Sequence, residues 1–458
     1  MIDATEPGSP GWWLARLADD LAEQQTRVRA LRQYIDGDAP LPEGADGCRE
    51  GYRKFQKLSR TNFAELVVEA VAERMIPSGF RTGAEGDELG DAEARKLWNA
   101  NNLDIFAHDV HADMIGVGSG YVIVGPPEDG IPVITREDPE SIVTAHDPKR
   151  PQKIIAALKV FRDDVSGRDL AYLYLPGEVW VAAGDVPDAA VGPSVDVSAW
   201  SWDTELSRPL GEGFEDVMPV VEFRNRRGRG EFETHTDILD RINYVILQRL
   251  VITAMQAYRQ RATKGDLPET DEDGNTIDYA AIFRPGPGAL WQLPDGVDLW
   301  ESAPTDLSPL LNAAKDDIRD LGAVTRTPMS MLLPDGQNQT AEGANFAREG
   351  LIFKVGDRIK RASFGWNSVM SLAFRFAGDK ERAQILDLET LWQPPERLTL
   401  SERADAASKA REDYPWRSRM AEIWGESPES ISRMEAERVN DAMLAASLAP
   451  QVNDGSAT

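Results

Sequence analysis

Three helical runs within residues 231–377 constrain the fold more than any other feature of this sequence. The first run begins near Thr234 and keeps apolar residues at helical spacing until Gly265, which predicts roughly 45 Å of helix at 1.5 Å per residue. The third run begins after Thr340 and predicts roughly 55 Å of helix if it is unbroken. Both helices are too long for an ordinary globular core, so extended rods are expected here.

The two breaks between these runs differ in character. Between the first run and a shorter second run at residues 305–321, turn signals bracket β-like runs at residues 279–283 and 289–293. This pattern predicts a small β insert between two helices. The second break, residues 326–339, is polar and rich in turn residues but also contains Met and Leu side chains. It is therefore not expected to be a simple solvated linker.

The third run contains more glycine than a helix normally tolerates. Each helical glycine costs about 1 kcal/mol relative to alanine. The apolar seam nevertheless continues through all of them with alternating steps of three and four residues. We expect the helix to bend, or a neighbouring backbone to approach it closely, at Gly343, Gly350, Gly356 or Gly365.

The remainder of the sequence predicts an α+β fold in which helices come first and strands follow. Apolar stripes predict helices at residues 12–35, 62–75 and 92–116, and a loop is expected at residues 182–197. Short runs separated by Pro, Gly and Asp predict strands at residues 121–124, 133–136, 142–145, 154–161, 171–175, 179–182, 219–223 and 385–392. Helices capped at Thr399 and Ser427 are predicted near the C-terminus.

Composition excludes several classes of protein. The 458 residues have a formal net charge of −27. Tight nucleic-acid binders are usually basic, because contacts with phosphates supply most of their affinity. No apolar run approaches the length that spans a bilayer, and the N-terminus has no signal-peptide pattern. The single cysteine, Cys48, excludes an intrachain disulfide and indicates a reducing compartment.

The sequence contains no complete motif for catalysis, cofactor binding or metal binding. The glycines of residues 116–120 follow a helix and precede a strand, the reverse of a dinucleotide fingerprint, and predict a turn. His108 and His111 lie three residues apart on a predicted helix but have no evident third ligand. A calcium-like loop at residues 269–274 lacks its closing Glu, because Ala280 occupies that position. We therefore expect no enzyme, no cofactor and no metal.

Two basic clusters are candidates for contacts. Arg224, Arg226, Arg227 and Arg229 follow the strand at residues 219–223, and they are expected to meet either DNA phosphates or acidic residues of a neighbouring subunit. The acidic balance of the chain favours the second alternative. Arg261 and Lys264 end the first helical run. Cations are favourable at a helix C-terminus, and this reading is preferred there over contact with DNA.

The order of several stretches resembles the portal proteins of tailed phages, most closely the siphovirus portals of actinobacterial phages. The resemblance is carried by a strand-to-helix junction, Pro-Val-Val-Glu-Phe-Arg-Asn at residues 219–225 and Asp-Ile-Leu-Asp-Arg-Ile-Asn at residues 237–243. Further similar stretches lie at residues 34–42, 62–80, 340–344 and 427–438. Single motifs are weak, but their order and spacing are specific and extend over nearly the whole chain.

The resemblance implies a portal fold with named parts. In this sequence they are a wing at residues 1–230, a stem helix at 231–265, a clip at 266–303, a second stem helix at 304–324, a tunnel loop at 325–340, a long kinked helix with a returning wing strand at 341–396, an α-helical crown at 397–448 and a disordered tail at 449–458. By position, the tunnel loop includes Met329, Ser330, Met331, Gln337, Asn338 and Gln339. These residues are not basic, which argues against a strong DNA clamp at this loop.

The resemblance also implies a function as the head–tail connector of a bacteriophage. A portal is a ring of typically twelve copies at one capsid vertex, a channel through which double-stranded DNA enters during packaging and leaves during ejection. The expected partners are the terminase large subunit, the head–tail adaptor, the major capsid protein and a scaffold where one exists, without any membrane. The protein is expected in the virion after assembly in the host cytoplasm. The alternatives are another virion structural protein, such as a capsid or head–tail adaptor subunit, and a nucleotide- or metal-dependent enzyme.

Overall fold

The structure is a computed structural model with a mixed helix and sheet architecture, in agreement with the predicted α+β class. It describes residues 2–42, 50–84, 90–185, 197–257, 261–270, 274, 276–279, 296–301, 303, 305–333, 341–396 and 399–448. The chain divides into two units. The first comprises Met1–Asp36, Asn62–Thr234 and Gly322–Thr458, and the second comprises Gly37–Thr61 and His235–Leu321.

The first unit begins with helix α1 (Pro10–Ile35), which packs on a six-stranded antiparallel sheet. Ser9 caps the helix by accepting a hydrogen bond from the amide of Trp12. Leu14, Leu17 and Leu21 of α1 cover one face of the sheet. The sheet consists of β4 (Ile142–Asp147), β5 (Arg150–Asp163), β6 (Arg168–Leu175), β7 (Glu178–Asp185) and β8 (Ser201–Trp202) in this order, and β9 (Arg208–Pro209) also pairs with β7.

The opposite face of that sheet packs on a second, three-stranded antiparallel sheet. The second sheet has the order β10 (Val220–Arg224), β2 (Ser119–Glu128) and β3 (Ile131–Glu137). Because side chains alternate along a strand, Tyr121, Ile123 and Val220 point toward the first sheet. Phe223 has the opposite orientation, and its ring centroid lies 4.7 Å from that of Trp366.

Helices cover the outer face of the second sheet. They include α4 (Ala92–Ala100), α5 (Leu103–Val117) and the long helix α9 (Ala341–Phe376), and α3 (Phe63–Ala72) packs in turn on α5. The strand predicted at residues 385–392 is present as β13 (Glu389–Trp392). It pairs antiparallel with β1 (Pro77–Arg81), which the sequence pattern had not indicated. All seven strands predicted between residues 119 and 224 are confirmed, each within a few residues of its expected bounds.

The helix predicted at residues 92–116 is two helices rather than one. Asn102 separates α4 from α5 and adopts a left-handed conformation with φ 54°. Asparagine is one of the few non-glycine residues that visit this region readily. The side chain of the preceding Asn101 is also engaged, because its Oδ1 accepts a hydrogen bond from the amide of Ile134 at 2.9 Å. Local side-chain chemistry therefore overrides the helical period.

The second unit contains α2 (Glu50–Leu58), α6 (Thr236–Ala257) and most of α7 (Ser308–Thr325). Arg241 of α6 binds Asp317 of α7 at 2.7 Å and Asp320 at 3.3 Å. Asn243, which is buried, accepts hydrogen bonds from the amide and the hydroxyl of Thr61 at 3.0 Å and 2.8 Å. The α2 helix was not predicted.

The first helical run, predicted from Thr234 to Gly265, begins within two residues of its expected start, but its predicted C-terminal end is wrong. The helix begins at Thr236 after a 3₁₀ turn at Glu233–His235, and it extends to Ala257. Arg261–Lys264 forms strand β11, which pairs antiparallel with β12 (Asp298–Glu301). A small β insert is thus present, but its strands lie on either side of the predicted positions. Of the two predicted β-like runs, residues 289–293 lie outside the described residues, and so do residues 280–283 of the other run.

The C-terminal helices agree with the sequence pattern. After the short helix α8 (Met329–Leu332), α9 is continuous over 36 residues, which confirms its predicted length. Thr399 and Glu402 form the predicted capping box of α10 (Leu400–Lys409). Helix α11 (Trp416–Ser418) continues into a π-helical turn (Arg419–Trp424), and α12 (Pro428–Leu448) ends the described chain. No described helix is long and apolar enough to cross a membrane. The tail at residues 449–458 lies outside the described residues. Residues 186–196 of the loop predicted at residues 182–197 lie outside them as well.

The aromatic core between α4, α5 and α9 contains a buried histidine. His111 is fully buried, and its Nε2 accepts a hydrogen bond from the indole N–H of Trp366 at 2.8 Å. The proton of the neutral ring is therefore on Nδ1. Trp98 packs on Trp366 with ring centroids 4.9 Å apart. Burial lowers the pKa of His111 to about 3, so the ring stays neutral at any ordinary pH.

His111 should make the stability of the protein depend on pH. Its folded pKa lies below the ordinary value of 6.5, so the unfolded chain binds the proton more readily, and stability falls as pH drops from 6.5 toward 3. We expect His111→Gln, whose side chain still offers an acceptor to Trp366, to reduce this slope by up to about 1.4 kcal/mol per pH unit. Denaturant unfolding at several pH values measures the slope. His235→Gln, at a partly exposed histidine, is the control, and identical slopes for wild type and His111→Gln would contradict the prediction.

Candidate functional site

The junction, defined as residues 225–234, is the segment through which the chain leaves the first unit, and it packs backbone against backbone on the end of α5. A Cβ placed on Gly230 would lie 2.1 Å from the carbonyl oxygen of Gly116, and one on Gly118 would lie 2.4 Å from that of Gly228. Only glycine permits such an approach. The amide of Glu231 donates to the carbonyl of Ile115 at 2.9 Å. Gly118 thus serves this contact and, as predicted, lies at the turn where α5 ends and β2 begins, whereas a Cβ on Gly116 would meet Ile35 and one on Gly120 would meet Val110.

A buried carboxylate fixes the junction to the long helix. Glu231 has 8% of its side chain exposed, and its Oε1 accepts a hydrogen bond from Nε of Arg358 at 2.6 Å. Nζ of Lys354 lies 3.7 Å from the other carboxylate oxygen. Asn225 donates to Oε1 as well, at 3.2 Å. Burial alone would raise the pKa of Glu231, but Lys354 and Arg358 outweigh it and keep the pKa below its ordinary value.

Lys354 also holds the segment by which the chain re-enters the first unit. Its Nζ donates to the carbonyl oxygen of Thr325 at 2.6 Å, at the C-terminal end of α7. Burial lowers the pKa of Lys354 to about 8, and the charge of Glu231 opposes this shift. A single helical turn of α9 therefore binds both segments that connect the first unit to residues 235–321.

A second ion pair binds the junction to α1. Arg27 approaches Glu233 with Nε at 2.8 Å from Oε1 and Nη2 at 2.6 Å from Oε2, the paired geometry that guanidinium and carboxylate groups favour. The same Nη2 donates to the carbonyl oxygens of Val117 and Gly228 at 3.0 Å and 2.9 Å. One arginine therefore joins α1, the end of α5 and the junction.

The predicted arginine cluster lies on the outer side of this junction. Arg224, Arg226, Arg227 and Arg229 are all exposed. Arg226 and Arg227 belong to a 3₁₀ turn in which Arg227 has φ 60°. Nε of Arg224 lies 4.0 Å from Glu222. Within the described ranges, no side-chain ion pair is found for Arg226, Arg227 or Arg229.

Glu222 is the centre of a buried polar cluster that joins the two sheets. Its carboxylate accepts hydrogen bonds from Ser119 at 2.6 Å and Thr144 at 2.9 Å, and it lies 2.5 Å from Nε2 of His146. Burial alone would raise the pKa of Glu222, but the bonds from His146 and Ser119 lower it below the ordinary value. The Glu222 carboxylate is thus satisfied within the chain and connects β10, β2 and β4, whereas Nδ1 of His146 is buried without a hydrogen-bond partner among the described residues.

The other predicted contact residues are dispersed. Arg261 and Lys264 belong to β11 rather than to a helix end, and Lys264 is exposed. Met329 is half-buried, and its sulfur lies 2.9 Å from the position that a Cβ on Gly322 would occupy. Ser330 is exposed and Met331 is half-buried. Gln337, Asn338 and Gln339 lie outside the described residues.

The described part of the chain offers no set of side chains suited to a metal. No group of three or more His, Cys, Asp or Glu residues is found there in a metal-binding arrangement. The two histidines noted in the sequence have separate environments. His108 lies 3.1 Å from Glu69, whose carboxylate raises the pKa of the ring, whereas His111 is buried against Trp366. Among the described residues, the side chains around the junction form structural ion pairs and hydrogen bonds.

The residues that bind the junction were not identified from the sequence. One signal could have found them, because Lys354 and Arg358 lie four residues apart on the apolar face of α9. Charged side chains on a buried helix face are almost always paired. The partner, Glu231, is more than a hundred residues distant in the chain, so its identity required the structure.

Comparison with known proteins gives one consistent family. The profile described as "Phage portal protein, SPP1 Gp6-like" matches residues 14–442. A protein named "Portal protein" from Mycobacterium phage D29 is 28% identical over 420 residues, covering 84% of this chain and 79% of the relative. Its counterpart from Mycobacterium phage L5 is 27% identical over 385 residues, covering 77% and 73%. A solved chain from the neck of an empty gene transfer agent particle is 12% identical with a TM-score of 0.42, covering 87% of this chain and 98% of that one.

Removal of one buried cation should destabilise the protein strongly. We expect Arg358→Met to cost about 3–5 kcal/mol, because Glu231 stays buried without its principal partner. Arg81→Met, which breaks an exposed pair with Glu389, should cost less than about 1 kcal/mol. Urea unfolding gives both free energies. Equal, small losses in the two variants would show that the Glu231 pair does not hold the junction.

Proposed function

We propose that this chain, which belongs to the SPP1 Gp6-like family of phage portal proteins, assembles into a ring of twelve copies through which double-stranded DNA passes. Proteins of this family are virion proteins that form the channel at a capsid vertex, and they are structural rather than enzymatic. The family match over residues 14–442 carries this proposal. It also favours the portal over the alternatives of a capsid subunit, a head–tail adaptor and an enzyme.

The physical properties of the chain support passage of DNA without tight binding. A net charge of −27 per copy gives a ring a strongly acidic surface, and an acidic wall repels phosphates and lets a duplex slide. Basic residues number 50 against 77 acidic ones, and the four cations of the arginine cluster are confined to residues 224–229. The predicted tunnel-loop residues Met329, Ser330 and Met331 are uncharged, and Arg326 is the one basic residue of this segment in the sequence, so this loop acts as a steric guide rather than an electrostatic clamp.

We assign each part of a portal to a segment of this chain. The wing is residues 1–230 with the returning strand Glu389–Trp392, and the crown is residues 397–448. The first stem helix is shortened to Thr236–Ala257, because Arg261–Lys264 is a strand. We assign this strand and its partner Asp298–Glu301 to the clip. The second stem helix is Ser308–Thr325, and residues 326–340 form the tunnel loop.

The partners of such an assembly are components of the phage head and tail. In finer detail, the clip docks first the terminase large subunit and later the head–tail adaptor, and the wing contacts the major capsid protein and a scaffold where one exists. Assembly takes place in the host cytoplasm before the ring is built into the virion. None of these steps requires a cofactor or a membrane.

Ring formation is directly measurable. Purified full-length chain should give annular particles by negative-stain electron microscopy and a mass near 12 × 50.6 kDa, about 610 kDa, by mass photometry. The expected result is one dominant closed ring with a central opening. A uniform monomer at every salt and protein concentration would contradict the proposed function, and open helical filaments would contradict a closed ring.

The arginine cluster should act between subunits. We expect the triple variant Arg226→Ser, Arg227→Asn and Arg229→Ser to assemble about tenfold less readily at low salt. The acidic residues of a neighbouring copy would then have lost their cationic partners. Asparagine is chosen at position 227 because it tolerates a positive φ. Thermal stability of the monomer should not change, since these side chains are exposed.

Mass photometry across a salt series measures this effect, and three exposed cations of α2 provide a charge-matched control, Arg53→Ser, Lys54→Ser and Lys57→Ser. The control should assemble like the wild type. Unchanged assembly of the arginine variant combined with weaker retention of DNA in filled heads would assign the cluster to DNA instead.

A further inference from the structure

The outer edge of strand β10 carries backbone groups that point away from its sheet. The carbonyl of Pro219, just before the strand, accepts a hydrogen bond from the amide of Val124 in β2 at 2.9 Å. Because bonding to one neighbour uses alternate residues of an antiparallel strand, the amides and carbonyls of Val220, Glu222 and Arg224 face the other side. Within the described ranges, no hydrogen bond to these outward backbone groups is found.

Burial makes this open edge costly. Val220 exposes 2% of its surface, and Glu222 exposes 6% of its side chain. A buried backbone N–H or C=O in a native protein is almost always paired, because its lost hydrogen bonds to water must be replaced. The edge of β10 is therefore prepared for a partner that the described part of the chain does not supply.

Two other edges of the same two sheets are covered by side-chain amides. At the opposite edge of the three-stranded sheet, Asn101 accepts a hydrogen bond from the amide of Ile134 at 2.9 Å and donates one to the carbonyl of Pro132 at 3.1 Å. At the edge strand β4 of the six-stranded sheet, Gln24 donates to the carbonyl of Ile142 at 2.7 Å. Among the described residues, the chain thus covers these two edges with its own side chains and leaves β10 open.

A groove runs along this open edge, within the first unit. Its volume is about 520 Å³, and every residue of β10 except Phe223 lines it. Ile154 and Met218, which pack against the core between the two sheets, form one wall, and Phe364 and Leu372 of α9 form the other. Both walls are apolar. The groove therefore lies where a fourth strand of the three-stranded sheet would lie, between the same two layers that enclose β10.

Backbone chemistry, not charge, selects the occupant of this groove. Its rim carries Lys153, Arg224 and Arg361 but also Asp216 and Glu222, so neither a nucleic acid nor a strongly charged protein surface is favoured. An extended peptide satisfies a row of unpaired backbone donors and acceptors by adding a strand to the sheet. Its side chains alternate between the two walls. Since both walls are apolar, the matching peptide has a run of consecutive apolar residues, as strands buried on both faces do.

We propose that the groove along β10 binds an extended segment of a different protein as a fourth strand of the sheet, through a run of about four apolar residues rich in Val and Ile. The five residues of β10 extend over about 17 Å, which suits a segment of this length. A second copy is less suitable, because the runs of four or more apolar residues in the described strands, such as residues 121–124 and 154–158, are already paired in their own sheets. The inference concerns a single subunit and does not depend on the proposed function.

A synthetic peptide tests the site on the full-length chain. The probe is fluorescein-labelled Lys-Ser-Val-Ile-Val-Ile-Ser-Lys, and fluorescence anisotropy should show saturable binding to the wild type. Phe364→Asp should weaken binding by about tenfold, because it removes an apolar part of one wall. Phe353→Asp is the matched control, since Phe353 lies on the same helix, is similarly exposed at 68% against 53% for Phe364, and lies outside the lining of the groove. Circular dichroism should show that both variants are folded.

Methylation of the probe distinguishes strand addition from simple apolar adhesion. A methyl group on every second amide nitrogen of the apolar run leaves one edge of the peptide able to donate, so this probe should bind within about threefold of the parent. Methylation of every amide in the run removes the donors of both edges while it adds apolar surface, and should weaken binding by at least about tenfold. Equal or tighter binding of the fully methylated probe would overturn the inference, because the walls alone would then explain the affinity.

Three further outcomes would also overturn it. They are a wild-type chain that does not bind the parent probe saturably, an affinity that Phe364→Asp leaves unchanged, and binding only to monomers separated from larger assemblies by gel filtration. The last result would assign the edge of β10 to a second copy of the chain. Ring formation is measured without the probe, so none of these results bears on the proposed function.

Discussion

The junction depends on the ion pairs that the buried carboxylate of Glu231 makes with Arg358 and Lys354. A charge removed from water is tolerated only where cations and hydrogen-bond donors replace the water. Arg358, Lys354 and Asn225 provide this replacement, and both cations come from one turn of the long helix. Because Lys354 also binds the carbonyl of Thr325, the same turn holds the two segments that lead out of the first unit and back into it. Apolar groups of similar volume at these positions can give a fold of equal stability. The separate bonds of Lys354 and Arg358, however, specify which segment of the chain lies at which place.

The long helix therefore has two faces with different tasks. Its inner face is determined by its own subunit, since Gly365 fits the ring of Phe223 and Trp366 is fully buried among aromatic side chains. Its outer face carries exposed phenylalanines and glycines that no contact within the described chain requires. A helix that is rigidly held on one side is well suited to present a fixed surface on the other, because little conformational entropy remains to be lost on association.

The sequence predicted the elements far better than the contacts between them. Periodicity located the longer strands of both sheets and the 36-residue helix, because local side-chain patterns dominate there, but it missed the two-residue strands β8 and β9. It failed where a local or tertiary effect overrides the pattern. Asn102 divides one predicted helix by adopting a left-handed conformation, and Arg261–Lys264 becomes a strand because it pairs with Asp298–Glu301. The arginine cluster was visible as a charge pattern, whereas the partnership of Glu231 with Arg358 spans 127 residues of sequence and could not be derived from spacing.

Glu231 and Arg358 act as one unit that binds the junction to the long helix. A double-mutant cycle with Glu231→Gln, Arg358→Met and the combined variant measures this coupling, because effects of each residue on its other neighbours cancel in the difference. We expect a coupling of about 2–3 kcal/mol in the free energy of unfolding, with the double variant much less destabilised than the sum of the single variants. Additive losses, with a coupling below about 0.5 kcal/mol, would contradict it.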